Sequence, residues 1–131
     1  MRLLIIDDEP AVTERIAMYL EELHHQVEVL NYIKLRGQNQ KSSPKGFLQI
    51  LNELQPEGVI LDYDMVPPGD RIYRWLREWN ETLVIVFYTK YANSPDQQGK
   101  MVQAGARKEQ IIQKVEAAED VVRLLRSLRE L

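Results

Sequence analysis

Residues 3–10, LLIIDDEP, form an apolar run that ends in acidic residues. The four branched side chains at 3–6 show no polar alternation, which is typical of a strand buried on both faces in a parallel sheet. Carboxylates are out of place there unless they lie at the carboxyl end of the strand, where α/β sheets bind ligands. Asp7 and Asp8 therefore predict an anionic pocket at a sheet edge, with a divalent cation.

Strand and helix patterns alternate along the rest of the chain. Short apolar runs predict further strands at 26–30, 59–61, 83–88 and 111–112. Apolar residues at helical spacing predict helices after Pro10, over 47–54, over 72–79, from Ser94 to near Gly105, and around 121–128. At the start of the fourth helix, Ser94, Pro95 and Gln97 fit a capping box. Five strands and five helices in strict alternation predict a parallel sheet with right-handed crossovers.

Composition narrows the class of protein. With 131 residues, 44% apolar and 28% charged, the chain fits one globular α/β domain. A net charge of −3 gives no general attraction to nucleic acid or to anionic membranes. No cysteine, no signal-peptide pattern and no long apolar run are present, and we expect a cytoplasmic protein.

Three further features have plain structural interpretations. The basic segment 31–46 is predicted to be a long loop, either solvated surface or a docking element for a partner. Trp75 and Trp79 are expected to serve packing or to form an exposed patch. His24 and His25 are expected to end a helix in solvent and are assigned no metal.

The chemistry of the chain converges on one sheet edge. The carboxyl ends of the first, third, fourth and fifth strands collect Asp7, Asp8, Asp62, Thr89 and Lys114. Each residue alone could be structural, as a helix cap, a turn residue or a surface lysine, but their convergence favours a site. Clustered carboxylates repel one another, and Mg²⁺ relieves this while keeping waters for a phosphoryl ligand. A carboxylate beside Mg²⁺ can form an aspartyl phosphate, stabilised by a lysine and a hydroxyl group.

These residues resemble those of the receiver domains of two-component response regulators. The resemblance spans the whole chain and is carried, in order, by residues 7–10, Asp62 with Met65, Thr89 and Lys114. It implies a flavodoxin-like three-layer α/β sandwich, with five parallel strands in the order 2-1-3-4-5 and five helices. Residues 1–131 would then form a single receiver domain.

The resemblance also implies a magnesium site. Asp8 would bind Mg²⁺ directly and Asp7 through water, while the main-chain carbonyl of Asp64 and the Asp62 carboxylate would complete the protein ligands.

By the same resemblance, Asp62 is the phosphoacceptor for a histidine kinase or a phosphotransfer protein. Thr89 would hydrogen-bond the phosphoryl group and shift on activation, and Lys114 would pair with that group. The domain would signal through protein contacts around helix four, strand five and helix five, a face that also offers a homodimer surface. It would not be an enzyme beyond assisting its own phosphorylation and dephosphorylation, and its downstream target is not defined by the sequence.

Several residues depart from the family pattern. Val66 separates Met65 from the proline that usually follows it, and Val115 replaces the proline that usually follows the lysine. Ile111 stands where a switching Tyr or Phe is common. Lys90 replaces the small residue after the switch threonine, and we expect it to crowd or hold the phosphoryl group. These departures predict an altered switch around an intact set of charges.

Two other functions fit parts of the pattern. The chain could be a pseudo-receiver that binds protein partners without switching. Alternatively, Asp62-Tyr63-Asp64 after a strand resembles the motif of small phosphohydrolases of the haloacid-dehalogenase type, although the chain lacks room for a cap domain. Sustained turnover of a phosphate ester would favour the enzyme.

Overall fold

The computed structural model describes residues 2–23, 25–30, 44–65 and 67–114, and the single positions 123, 126 and 127. The strands in these ranges are β1 (Arg2–Ile6), β2 (Gln26–Leu30), β3 (Gly58–Leu61), β4 (Val84–Thr89) and β5 (Ile111–Gln113). The helices are α1 (Pro10–Glu22), α2 (Pro44–Leu54), α3 (Gly69–Trp79) and α4 (Pro95–Gln103), and a short 3₁₀ helix (Lys108–Gln110) precedes β5.

The strands form one parallel sheet in the order β2-β1-β3-β4-β5, which confirms the predicted flavodoxin-like topology. Ile6, the last residue of β1, pairs with Leu61, the last residue of β3. The residues that follow these two strands therefore leave the sheet side by side. On the far side of β3, Thr89 at the end of β4 pairs with Gln113 at the end of β5. The register thus brings the predicted site residues to one edge.

Both faces of the three central strands, β1, β3 and β4, are buried. Leu4 and Ile6 of β1 belong to a core cluster with residues of α2, α3 and α4, whereas Leu3 and Ile5 pack with α1 on the opposite face. Alternation of side chains along a strand explains this division, and burial on both faces explains why the β1 sequence is apolar throughout.

The tryptophans serve packing, as one of the two interpretations predicted. The ring of Trp75 lies tilted against Phe47 of α2, with ring centroids 5.8 Å apart. The Trp79 indole N–H donates a hydrogen bond to Asn52 Oδ1 over 2.9 Å. Both side chains are partly buried against the core, and they join α3 to α2.

One helix start and one helix cap differ from the predictions. α2 begins at Pro44, inside the segment predicted to be loop, because proline suits the first turn of a helix. Residues 31–43 of that segment lie outside the described ranges. α4 begins after Ser94 as predicted, but the Ser94 hydroxyl bonds the Gln97 side chain and makes no cap to the backbone, so the predicted capping box is wrong in detail.

Most of the predicted fifth helix, around 121–128, lies outside the described residues. The three positions described there, 123, 126 and 127, are helical. Within the described part of the chain, no helix combines the length and apolar character needed to cross a membrane.

Gly69, at the start of α3, packs directly against the segment that follows β3. Its N–H donates a hydrogen bond to the Tyr63 carbonyl over 2.9 Å. A Cβ atom at position 69 would collide with the Asp62 carbonyl oxygen and would lie 2.7 Å from Tyr63 Cα. Because backbone atoms cannot move aside as a flexible side chain can, only glycine fits here.

We expect Gly69→Ala to lower the free energy of unfolding by about 1–3 kcal/mol, the usual cost of overpacking a buried position. Gly99→Ala is the matched control, since a Cβ at that position of α4 meets nothing within 4 Å. It should raise stability by about 0.5–1 kcal/mol through helix propensity. Urea denaturation of both variants measures the difference, and equal effects would contradict the close approach at Gly69.

Candidate functional site

The first acidic residues of the site lie between β1 and α1. Asp7 is buried, and its Oδ1 accepts a hydrogen bond from the Glu9 N–H over 2.9 Å. The Glu9 carbonyl in turn accepts the N–H groups of Val12 and Thr13, both at 3.1 Å, so Glu9 is the N-terminal cap of α1. The start of the helix therefore fixes the direction in which the Asp7 carboxylate points.

Asp62 follows β3 and is 1% exposed. Its N–H donates to the Ile6 carbonyl over 2.9 Å, which ties it to β1. One carboxylate oxygen, Oδ1, accepts the Tyr63 N–H over 2.8 Å, and the other, Oδ2, lies 3.1 Å from Lys114 Nζ. The side chain is thus oriented by the backbone on one side and by an ammonium group on the other.

Lys114 follows β5 and joins the acidic residues to one another. Its Nζ lies 3.0 Å from Asp7 Oδ2, 2.8 Å from Glu9 Oε1 and 3.1 Å from Asp62 Oδ2. The Lys114, Asp7 and Asp62 side chains are 8%, 4% and 1% exposed, whereas that of Glu9 is 45% exposed. The structure therefore brings three predicted site residues, Asp7, Asp62 and Lys114, from three strand ends into one largely buried ion cluster.

The pKa values show that this single ammonium does not fully compensate the acids around it. Burial, followed by the charge of Asp62, raises the pKa of Asp7 from 3.8 to about 6. The same two causes raise the pKa of Asp8. For Lys114, burial alone would lower the pKa, but the hydrogen bond to Glu9 and the charges of Asp62 and Asp7 outweigh it and raise that pKa. The hydrogen bond from Lys114 lowers the pKa of Glu9.

The acidic cluster has the donor set of a hard divalent cation. One carboxylate oxygen from each of Asp7, Asp8, Glu9 and Asp62 lies within 4.8 Å of the other three. Oxygen-only ligands of this kind suit Mg²⁺, and the uncompensated charge described above favours a cation. The residues present therefore fit magnesium. Three of the predicted ligands belong to this cluster, and the individual ligand assignments stay predictions.

Thr89 and Asp64 make their described contacts outside this acidic cluster. Thr89 is fully buried at the end of β4, where its Oγ1 accepts the Tyr91 N–H over 3.2 Å. Its predicted bond to a phosphoryl group stays a prediction. The Asp64 side chain is 53% exposed and pairs with Lys90 over 3.5 Å. The assignment of its main-chain carbonyl as a metal ligand also stays a prediction.

Lys90 belongs to a small group at the outer side of the site. Its Nζ lies 5.5 Å from the centre of the Tyr91 ring, and Tyr91 meets Tyr63 edge to face at 6.3 Å. With the Asp64 ion pair, these contacts join the loop after β3 to the loop after β4. The Lys90 ammonium is thus directed to Asp64, and its effect on a phosphoryl group stays a prediction.

Glu9 is the site residue that the sequence analysis did not assign. It makes the shortest of the three ion pairs with Lys114. The available signal was its position directly after the two aspartates at the start of a helix, but that position is equally typical of a residue that only caps the helix.

The raised pKa of Asp7 predicts how stability depends on pH without divalent cations. Between about pH 4 and pH 6 the native state binds more protons at Asp7 than the unfolded chain does, so the free energy of unfolding falls as pH rises. Asp7→Asn should remove this loss of stability, because the amide does not ionise. We expect it to stabilise the metal-free protein by about 1–2 kcal/mol at pH 7 and by almost nothing at pH 4.

Urea denaturation in EDTA at the two pH values measures this effect. Asp64→Asn is the control, because its ion pair with Lys90 is exposed and should contribute little to stability. A destabilising effect of Asp7→Asn at pH 7 would contradict the prediction.

Neither a protein-family model nor a curated protein sequence matches the chain. Solved structures do match over nearly its whole length. A putative response regulator from Chloroflexus aurantiacus J-10-fl is 20% identical, with a TM-score of 0.77 over 99% of this chain and 98% of that one. The chemotaxis response regulator CheY4 of Vibrio cholerae is 16% identical, with a TM-score of 0.73 over 98% of each chain.

The NtrC4 receiver domain, solved in solution as a beryllofluoride-activated dimer, is 20% identical, with a TM-score of 0.75 over 98% of this chain and 96% of that one. At these identities the similarity establishes the fold. The chain has the flavodoxin-like fold of response regulator receiver domains.

Proposed function

We propose that the chain is a phosphoacceptor receiver domain of a two-component phosphorelay, phosphorylated on Asp62 in a magnesium-dependent reaction. The observation that carries the proposal is the buried Asp62 carboxylate, with one oxygen bound by the Tyr63 N–H and the other by Lys114 Nζ. The remaining acids of the cluster surround this group at the sheet edge where α/β folds bind ligands. The receiver fold agrees with this assignment.

In the proposed reaction, an Asp62 oxygen attacks the phosphorus of a phosphohistidine on a kinase or a phosphotransfer protein. The O–P bond forms as the N–P bond breaks, and the imidazole leaves. Lys114 provides a positive charge next to the attacking carboxylate and pairs with the transferred phosphoryl oxygens. The Thr89 hydroxyl donates a hydrogen bond to the same phosphoryl group. Asp8, Asp62, the main-chain carbonyl of Asp64 and, through water, Asp7 would hold magnesium, which would supply positive charge to offset that of the carboxylates and the phosphoryl group.

The proposal extends to partners and place of action. Phosphorylation would alter the surface formed by α4, β5 and the predicted fifth helix, and a target protein or a second copy would bind there. The dimeric state of the NtrC4 receiver domain supports the second arrangement. We place the protein in the cytoplasm, where a histidine kinase would supply the phosphoryl group.

The structure gives no support to the phosphohydrolase alternative. In that alternative Asp62 and Asp64 would face one substrate, as nucleophile and as acid or base. Here the Asp62 carboxylate is buried against Lys114, whereas the Asp64 carboxylate is half exposed and pairs with Lys90. A pseudo-receiver keeps this fold but accepts no phosphoryl group, so labelling separates it from the proposal.

We expect acetyl phosphate with Mg²⁺ to add one phosphoryl group to Asp62, detected as an increase in intact mass. Asp62→Asn should remain unlabelled, because the amide lacks a nucleophilic carboxylate. Asp96→Asn, which removes an exposed carboxylate from the first turn of α4, is the matched control and should label normally. EDTA should prevent labelling.

Equal labelling of Asp62→Asn, or none in the unaltered protein, would contradict the proposal. Continued release of inorganic phosphate at many turnovers, without a stable phosphoprotein, would favour the phosphohydrolase.

Glu9 should contribute to cation binding. Glu9→Gln removes one negative charge and releases Lys114 to pair more closely with Asp7 and Asp62, and both effects oppose a cation. We expect the Kd for Mg²⁺ to rise about three- to tenfold, the size of one partly exposed charge interaction.

Isothermal titration calorimetry at constant ionic strength measures this Kd. Glu14→Gln on the exposed side of α1 is the control and should leave it nearly unchanged. Tighter Mg²⁺ binding by Glu9→Gln would show that Glu9 opposes the cation.

A further inference from the structure

Tyr88 is a buried side chain whose hydroxyl group contacts the main chain of Lys114, a residue of the candidate site. It belongs to β4, is 2% exposed and packs in the core cluster on the α1 face of the sheet. Its hydroxyl donates a hydrogen bond to the main-chain carbonyl of Lys114 over 2.8 Å. Its ring therefore contributes to the core while its polar end reaches the lysine that contacts Asp62.

The backbone around Lys114 explains why this bond matters. The Lys114 N–H donates to the Thr89 carbonyl over 3.1 Å, which continues the parallel ladder between β4 and β5. The next bond of a parallel ladder would run from the Tyr91 N–H to the Lys114 carbonyl. The Tyr91 N–H donates instead to Thr89 Oγ1. The ladder thus stops one bond short, and the Tyr88 hydroxyl takes the place of its last donor.

The direction of the Lys114 side chain depends on this arrangement. The Lys114 backbone is tied to β4 at both polar groups, through the Thr89 carbonyl and the Tyr88 hydroxyl. The side chain leaves from this fixed point and places Nζ 3.1 Å from Asp62 Oδ2 and 3.0 Å from Asp7 Oδ2. Residue 115 is valine, which allows the backbone more freedom than a proline would. Among the described residues, the Tyr88 hydroxyl is the donor that restrains this carbonyl.

We infer that Tyr88 is a positioning residue: its hydroxyl holds the Lys114 main chain so that the ammonium group reaches Asp62. This inference rests on the proposed function in so far as it concerns phosphorylation. The geometric part, that Tyr88 sets the place of the Lys114 ammonium, is independent of it.

The test compares Tyr88→Phe with Tyr73→Phe. Tyr73 is likewise buried, in the other core cluster, and its hydroxyl accepts a hydrogen bond from Arg77 Nε over 3.0 Å. Tyr73→Phe therefore also removes a hydroxyl group from a buried tyrosine. Two quantities are measured: the ¹⁵Nζ resonance of Lys114 in lysine-labelled protein, assigned with Lys114→Arg, and the initial rate of labelling by acetyl phosphate with Mg²⁺.

We expect Tyr88→Phe to shift the Lys114 resonance and to slow labelling about three- to tenfold, the range for one buried hydrogen bond. Tyr73→Phe should leave the resonance in place and change the rate less than twofold. An unchanged Lys114 resonance in Tyr88→Phe, or the same shift in Tyr73→Phe, would overturn the inference. If the unaltered protein accepts no phosphoryl group, the proposed function fails, and the resonance alone decides the role of Tyr88.

Discussion

The ion cluster of Lys114 with Asp7, Glu9 and Asp62 is the interaction on which the carboxyl edge of the sheet depends. The three acids lie 52 to 107 positions from Lys114 in the sequence, so each contact with the lysine exists only when the sheet has its full register. A buried carboxylate is tolerated only when a partner compensates its charge. Because Asp7 and Asp62 follow strands that are buried on both faces, the fold must bring a positive charge to them. Lys114, directly after the short strand β5, provides it.

This compensation is incomplete, and the proposed magnesium site would use the charge that remains. One ammonium group serves three carboxylates, with Asp8 as a further acid beside them. Burial and the charge of Asp62 raise the pKa of Asp7, which means that its ionised form stays unfavourable despite Lys114. A site that attracts a divalent cation must hold excess negative charge before the cation arrives, and that charge destabilises the metal-free fold. Stability and cation binding are therefore opposed at Asp7.

Much of this could be predicted from the sequence because the strong signals are local. Acidic residues follow the apolar runs of β1 and β3, and Pro10 and Pro95 begin helices. These signals predict the alternation of strands and helices and the convergence of Asp7 and Asp62 at one sheet edge. The composition of residues 31–46, with Gly37, Ser42, Ser43, Pro44 and Gly46, favours a loop and hides the start of α2 at Pro44. Contacts that depend on the rotamer of one side chain have no periodic signature. The Glu9–Lys114 pair and the hydroxyl bond of Ser94 are of this kind, and only the structure shows them.

Tyr88 illustrates how the support of a site can change while its charges are kept. A lysine at the end of an edge strand needs its backbone held, and a proline after it or a hydrogen bond to its carbonyl can each provide that restraint. The first restrains the chain through its covalent ring, whereas the second requires a hydroxyl at one position of the neighbouring strand. In this chain valine follows Lys114, and the hydroxyl is present on β4. The residues that support a charged centre are therefore better identified from its hydrogen bonds than from its motif.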